Sequence, residues 1–307
     1  MFRLISGIFL GWALGSNDAA NIFGTAVATR VVKFWTAAIL TSIFVIIGAV
    51  MEGAGGMETL GKLSSQTMNS AFFVSLSAAL TVTIMSYFKL PVSTSQAMVG
   101  AIIGGGIVRN TVNFAPLLKI FLAWFLTPIG AMVIAIILFK VFDILQDKYF
   151  KNIVNLDKFI KVGLILAGIY GAYALGANNV ANVTGVFVKS GMINVFQGAL
   201  LGGIGIASGV LTYSKNVMMT VGKGITELSP LNALLAVLAE STTVYIYAQI
   251  GIPVSTSQAI VGAVIGIGLI KGVNFINKDT IKNIIFGWLG TPTTAGLLSF
   301  FITLTFN

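Results

Sequence analysis

Apolar residues run along this chain in long blocks separated by short polar or charged breaks, and the blocks fall into two sets of five. The first set runs from about Phe2 to Val32, Phe34 to Met51, Ala71 to Phe88, Leu90 to Val108 and Ala115 to Phe142. The second runs from about Phe159 to Val188, Met192 to Thr212, Leu231 to Ile250, Ile252 to Ile270 and Ile284 to Phe306. A helix needs about 20 apolar residues to cross the ~30 Å hydrocarbon core of a bilayer, so this pattern predicts an all-α integral membrane protein. Between the sets lies Asp143 to Lys158, the one long stretch that mixes both charge signs, and it reads as a surface linker. The first block has the apolar character of a signal peptide, but no small-residue cleavage site precedes a soluble domain, and Asn17, Asp18 and Asn21 follow at once. It is assigned as the first membrane helix. The expected organisation is a membrane repeat over 1–142, a linker over 143–158 and a second membrane repeat over 159–307.

The two sets are copies of one another. LGSNDAAN at Leu14 to Asn21 realigns with LGANNVAN at Leu175 to Asn182, and PVSTSQAMVGAIIG at Pro91 to Gly104 with PVSTSQAIVGAVIG at Pro253 to Gly266. Weaker echoes keep nearly the same offset: Gly61-Lys62 with Gly222-Lys223, Arg109 with Lys271, and Trp124, Thr127 and Pro128 with Trp288, Thr291 and Pro292. Five segments per copy is an odd number, so the second copy enters the membrane upside down, the inverted-repeat plan of secondary transporters. Basic residues accumulate in cytoplasmic loops. Thirteen of the 18 lysines and arginines fall on one side when both termini are placed outside and the linker in the cytoplasm, with the fourth segment of each copy left open between spanning and re-entrant.

Composition agrees with the pattern and removes several chemistries. Only 9% of the 307 residues are charged and 56% are hydrophobic, with a mean hydropathy of +0.96, whereas a soluble domain carries about 25% charged residues. No histidine or cysteine is present, which removes disulfides, zinc sites built on those ligands and a Ser-His-Asp triad. The net charge of +9 lies mostly between apolar runs and therefore reports topology, not nucleic-acid binding. GMETLGKL at Gly56 to Leu63 approaches a phosphate-binding P-loop but has Leu63 where a magnesium-binding hydroxyl is required. No enzymatic reaction is expected, and no cofactor.

The chemistry concentrates in the two repeated motifs. Ser93, Thr94, Ser95 and Gln96, and likewise Ser255, Thr256, Ser257 and Gln258, stand at the start of a helical run, where unpaired N–H groups, the positive end of the helix dipole and side-chain donors suit an anion. Asn17, Asp18 and Asn21, with Asn178, Asn179 and Asn182, offer oxygen ligands of the kind that hold a hard cation. Polar patches at this depth predict an interruption of the first helix of each copy, with free backbone carbonyls beside the asparagines. Asp18 costs roughly 2.5 to 3.5 kcal/mol to place in mid-membrane and is a functional candidate by default. Glu240 is a second candidate for the pathway, and its counterpart is Ala78. No lysine or arginine lies within the motifs. Helix dipoles supply only partial charges, so an anion entering here needs accompanying cations. Without histidine for a proton relay, sodium is the expected companion.

At these residues, GSNDAAN, GANNVAN and the paired PVSTSQ, the chain resembles the inorganic phosphate transporter family usually called PiT, whose signature is close to GANDVAN in both halves. The resemblance spans essentially the whole chain. It implies an inverted-topology repeat with discontinuous helices, about 10–12 helical elements in all, termini outside, often dimeric, carrying phosphate inward with sodium or protons. The Ser-Thr-Ser-Gln motifs would then bind phosphate and the asparagine motifs sodium, with the lipid bilayer as the other partner. A prokaryotic member in a cell inner membrane is expected, because the long central loop of eukaryotic relatives is missing. Asn179 departs from the pattern, which has aspartate there, and removes one charged cation ligand from the second copy. A proton-coupled phosphate or sulfate permease and an anion channel are the alternatives.

Overall fold

The structure is a computed structural model that describes residues 2–88, 92–149, 152–215, 217–219, 229–271 and 278–306. Pro91, Gly222 and Lys223, three of the residues in the sequence echoes, lie outside the described residues. Eleven helices carry the described fold. In the first copy these are α1 (Ile5–Ala28), α2 (Phe34–Glu52), α3 (Ala54–Gly61), α4 (Met68–Tyr87), α5 (Thr94–Val108) and α6 (Leu117–Tyr149). The second copy contributes α7 (Ile153–Lys189), α8 (Val195–Thr212), α9 (Pro230–Ile250), α10 (Thr256–Lys271) and α11 (Lys278–Phe306). Seven described helices are long and apolar enough to cross a membrane. The chain is a multi-pass membrane protein.

Local signals place the helix ends. Thr67 and Ser70 form a reciprocal cap on α4, as Asn194 and Gln197 do on α8. Asn152 caps α7 by accepting from the Val154 N–H at 2.9 Å. Such caps satisfy N–H groups that the helix itself leaves unpaired. α9 begins with Pro230 behind the Ser229 cap and ends at Gly251, which adopts the left-handed φ of 74° that a side chain resists. The charged stretch between the copies is folded mainly onto the end of α6 and the start of α7. These helices have 33 and 37 residues, or about 50 and 56 Å, well beyond the ~30 Å core.

The repeats are inverted and interlocked. Gly7 and Gly11 of α1 lie against Phe187 and Val183 of α7, while Gly168 and Gly171 of α7 lie against Phe23 and Ile22 of α1, so these equivalent helices run antiparallel. The principal packing is between copies. α1 packs on α8 and α7 on α2; α5 packs on α11 and α10 on α6. Each pair is the symmetry image of the other. A Cβ on Gly15 would fall 1.9 Å from the Ile206 carbonyl oxygen, and one on its counterpart Gly176 would fall 2.0 Å from that of Val45. At the second type of crossing, Gly100 meets the Pro292 carbonyl and Gly262 the Pro128 carbonyl, at 2.2 and 2.0 Å by the same measure. Lipid tails are as apolar as the side chains they compete with, so close backbone packing through small residues is what holds such helices together. Ion pairing contributes little. Among the described residues the one ion pair is Glu58–Lys62 at 2.6 Å, and both side chains are exposed.

The interruption expected in the first helix of each copy is not found, and the fourth segment, which the sequence leaves open between spanning and re-entrant, is the discontinuous one. α1 and α7 pass unbroken through Asn17–Asn21 and Asn178–Asn182. Their carbonyls stay in the helical ladder, and Asn21, Asn178 and Asn182 reach other segments through their side chains. The breaks lie in the fourth segment of each copy. α5 and α10 have 15 and 16 residues, about 22 to 24 Å, too short to cross alone. Each follows a non-helical lead-in, and Arg109 at the end of α5 donates to the Ser65 carbonyl at 2.9 Å, level with the start of α4. The fourth segment is therefore a shortened helix that starts inside the protein.

Gly176→Ala should destabilise the purified protein by about 1–3 kcal/mol or more, because the α7–α2 backbones must separate. Gly290→Ala, where an added Cβ meets nothing within 4 Å, should leave thermal unfolding in detergent unchanged. Equal melting temperatures for the two variants would contradict the packing described.

Candidate functional site

The two shortened helices begin in the interior, and their first residues form the site. Ser93 caps α5 by accepting from the Gln96 N–H at 3.3 Å, and Ser255 caps α10 by accepting from the Gln258 N–H at 3.2 Å. Each hydroxyl thereby aligns the first turn, leaving the remaining N–H groups pointing along the axis. Ser93, Thr94, Ser95, Gln96, Ser255, Thr256 and Gln258 are all buried, and Ser257 is half-buried.

The asparagine motifs tie these starts together across the repeat boundary. Asn21 on α1 donates to the Ser257 hydroxyl at 3.1 Å, and its counterpart Asn182 on α7 donates to the Ser95 hydroxyl at 2.9 Å. Each repeat thus holds the other's helix start. Ser95 donates to the Val254 carbonyl at 2.7 Å, in the lead-in of the opposite helix. Asn178 brackets that lead-in, donating to the Ile252 carbonyl at 3.0 Å and accepting from the Val254 N–H at 2.8 Å. Asn179 accepts from Asn182 at 3.0 Å. Asn17, the counterpart of Asn178, is half-buried, and its amide nitrogen has no partner.

Asp18 stands at the junction of the two starts. It is 2% exposed, and the hydroxyls of Thr256 and Thr94, one from each helix, approach its carboxylate without reaching hydrogen-bond geometry. Buried polar atoms lacking a partner crowd this region: Asp18 Oδ1, the Thr94 and Thr256 hydroxyls, Gln96 and Gln258 Oε1, Asn179 Nδ2 and Asn182 Oδ1. Such groups cost about 1–3 kcal/mol each when unsatisfied. Concentrated donors and acceptors of this kind mark a place where a polar ligand is received. Donors from two helix starts suit an oxyanion. The oxygens of Asp18 and the asparagines suit a hard cation. No lysine or arginine is buried among the described residues.

Every site residue read from the sequence, Glu240 included, is in or beside this region. Glu240 on α9 is 1% exposed and near enough to Asp18 for their charges to interact. Two features escaped the sequence reading. One is the lead-in Ile252–Val254, whose backbone joins the network; Pro253 was the available signal, since proline forces the residue before it out of the helical region. The other is Ser241, buried with an unpartnered hydroxyl next to Glu240. One serine in an apolar helix gives no signal by itself.

An all-helical membrane protein with two interlocked inverted repeats and a buried polar site where broken helices meet belongs to the class of membrane transporters. The profile of the Phosphate transporter family matches residues 14–299, and the chain belongs to that family. A protein of Methanocaldococcus jannaschii provisionally named a phosphate permease is 35% identical, over 98% of this chain and 95% of its own length. A sulfate permease of Bacillus subtilis is 30% identical, over 99% and 87% respectively. A solved structure of a sodium-dependent phosphate transporter superposes with a TM-score of 0.87 at 25% identity, covering 99% of both chains.

Thr256→Ala and Thr94→Ala remove hydroxyls that have no partner within the protein, so neither should lower the melting temperature. Each should weaken equilibrium binding of the transported anion about 10-fold or more, the loss of a hydrogen bond to a charged group. Ser93→Ala should also cost about 1 kcal/mol of stability through its cap. Unchanged anion affinity in well-folded Thr94 and Thr256 variants would exclude these hydroxyls from the site.

Proposed function

We propose that the protein is a secondary transporter that imports inorganic phosphate together with sodium, the anion lying between Ser93–Gln96 and Ser255–Gln258. The observation that carries this reading is the meeting of two identical helix starts, one from each inverted repeat, around the buried carboxylate of Asp18. Two dipole ends of roughly half a charge each do not neutralise a divalent anion beside Asp18. Cations must enter with it, and Asn17, Asp18, Asn21, Asn178, Asn179 and Asn182 are the oxygen ligands at hand. Because the shortened helices come from repeats of opposite orientation, equivalent movements of the two would expose the site to each side in turn.

Relatives named for phosphate and for sulfate both cover nearly the whole chain, so the choice between these anions rests on Asp18. A carboxylate repels a bare oxyanion unless a cation intervenes or the anion donates a proton. Monohydrogen phosphate carries such a proton, whereas sulfate at neutral pH does not. A buried acceptor therefore favours phosphate.

Uptake of labelled phosphate into proteoliposomes, with sodium and proton gradients imposed separately, tests the reading. Accumulation should follow the sodium gradient; uptake indifferent to both gradients would indicate a channel, and dependence on the proton gradient alone would replace the coupling ion. In the same assay Asp18→Asn should flatten the sodium dependence and narrow the preference for phosphate over competing sulfate. Wild-type sodium activation in that variant would remove Asp18 from the cation site.

The orientation proposed places both termini outside and the linker in the cytoplasm of a cell with the protein in its inner membrane; a homodimer is the assembly expected from the resemblance. On the cysteine-free background, Lys158→Cys should be labelled from the cytoplasm and Thr305→Cys from outside. Labelling of both from one side would contradict this topology.

A further inference from the structure

The pseudo-two-fold symmetry fails at two buried positions, in opposite senses. Asp18 has the uncharged Asn179 as its counterpart, while Glu240 has Ala78. Each repeat therefore brings one carboxylate to the interior, at non-equivalent positions. Asp18 and Glu240 are 2% and 1% exposed, and Asp18 Oδ1 and Glu240 Oε2 lack hydrogen-bond partners.

The surroundings of Glu240 are polar without being basic. The hydroxyl of its neighbour Ser241 is buried and unpartnered. It would lie 2.6 Å from a Cβ placed on Gly171 of α7, and the Ile22 side chain of α1 lies 3.1 Å from that same point. Ile22 is about one turn beyond Asp18, so Glu240 and Ser241 enter the bundle where α1 and α7 cross, close to the central site. Among the described residues, the other charged side chains on the helices around α9 are exposed. Tyr170 and Tyr173 of α7 gather near Glu52, Glu58 of α3 pairs with Lys62, and Lys119, Lys140 and Asp143 of α6 are exposed. Two carboxylates buried without a basic partner require cations from outside the protein if both are to remain charged.

We propose that Glu240, with the Ser241 hydroxyl, is a ligand for a sodium ion contributed by the second repeat, replacing the charge that Asn179 does not supply. This rests on the sodium-coupled reading above and assigns its second charged ligand. Carboxylate and hydroxyl oxygens are the hard donors such an ion takes. The glycine at position 171 makes room for Ser241 at the crossing, so the polar pair is accommodated by the helix packing itself.

The test counts labelled sodium against labelled phosphate taken up into proteoliposomes at fixed pH, across a sodium titration. Glu240→Gln should raise the half-saturating sodium concentration about fivefold or more and reduce the sodium carried per phosphate. Adding Asn179→Asp to that variant should recover both quantities, which a merely structural role for Glu240 does not predict. If Glu240→Gln fails to fold, the Asn179→Asp, Glu240→Ala double variant takes its place and should keep the wild-type sodium requirement. Wild-type ratio and sodium dependence in Glu240→Gln, failure of Asn179→Asp to restore them, or an effect confined to pH dependence would overturn the assignment. Wild-type uptake with no sodium dependence at all would instead remove the coupling on which it rests.

Discussion

Hydrocarbon offers no hydrogen bonds, and that constraint governs where polar groups can stand in this protein. A serine, an asparagine or the open end of a helix at mid-membrane depth must be satisfied by other protein groups or by a ligand. Two broken helices beginning in the interior would carry a prohibitive cost if each stood alone. Inversion of the repeats brings the starts together, and the opposite repeat's asparagines supply partners, Asn21 for Ser257 and Asn182 for Ser95, while Asn178 secures the lead-in to α10 within its own repeat. The same interlocking sets the packing. Helices that reach across the boundary to bond must approach closely, and Gly15, Gly176, Gly100 and Gly262 permit backbone contact at the crossings flanking the site.

Much of this was legible in the sequence because duplication leaves two independent copies of each signal. A Ser-Thr-Ser before an apolar run is an ordinary cap when seen once. Its recurrence at Ser255–Ser257, in a half that an odd segment count turns upside down, identifies it as part of a shared interior site. The helical breaks were harder to place. Asparagine in an apolar run signals that hydrogen bonds are needed but not whether the backbone or the side chain makes them. Here the side chains make them, and α1 and α7 stay whole. Glu240 could be recognised as exceptional because Ala78 stands opposite, yet nothing in one sequence places it near Asp18, since that proximity arises from the packing of α9 against α1 and α7.

On the proposed mechanism the symmetric and asymmetric features have different tasks. What the repeats share, the helix starts and the asparagine ties, can be presented to either side of the membrane by equivalent movements. What they do not share, Asp18 against Asn179 and Glu240 against Ala78, makes the two halves chemically distinct in their affinity for cations. Occupancy by cations then controls whether an anion can enter a compartment in which no basic side chain is buried among the described residues. Coupling follows from electrostatics, because neither the anion nor the carboxylates can be buried economically without the cations.

On this mechanism the transported anion sits between the two helix starts, in contact with both. Arsenate is a close structural analogue of phosphate and scatters anomalously, so crystals of the protein grown with sodium arsenate would locate the anion directly. One anomalous peak is expected within hydrogen-bond reach of Ser93–Gln96 and of Ser255–Gln258, with Asp18 beside it. A peak on one helix start alone, or at a site away from both, would contradict it.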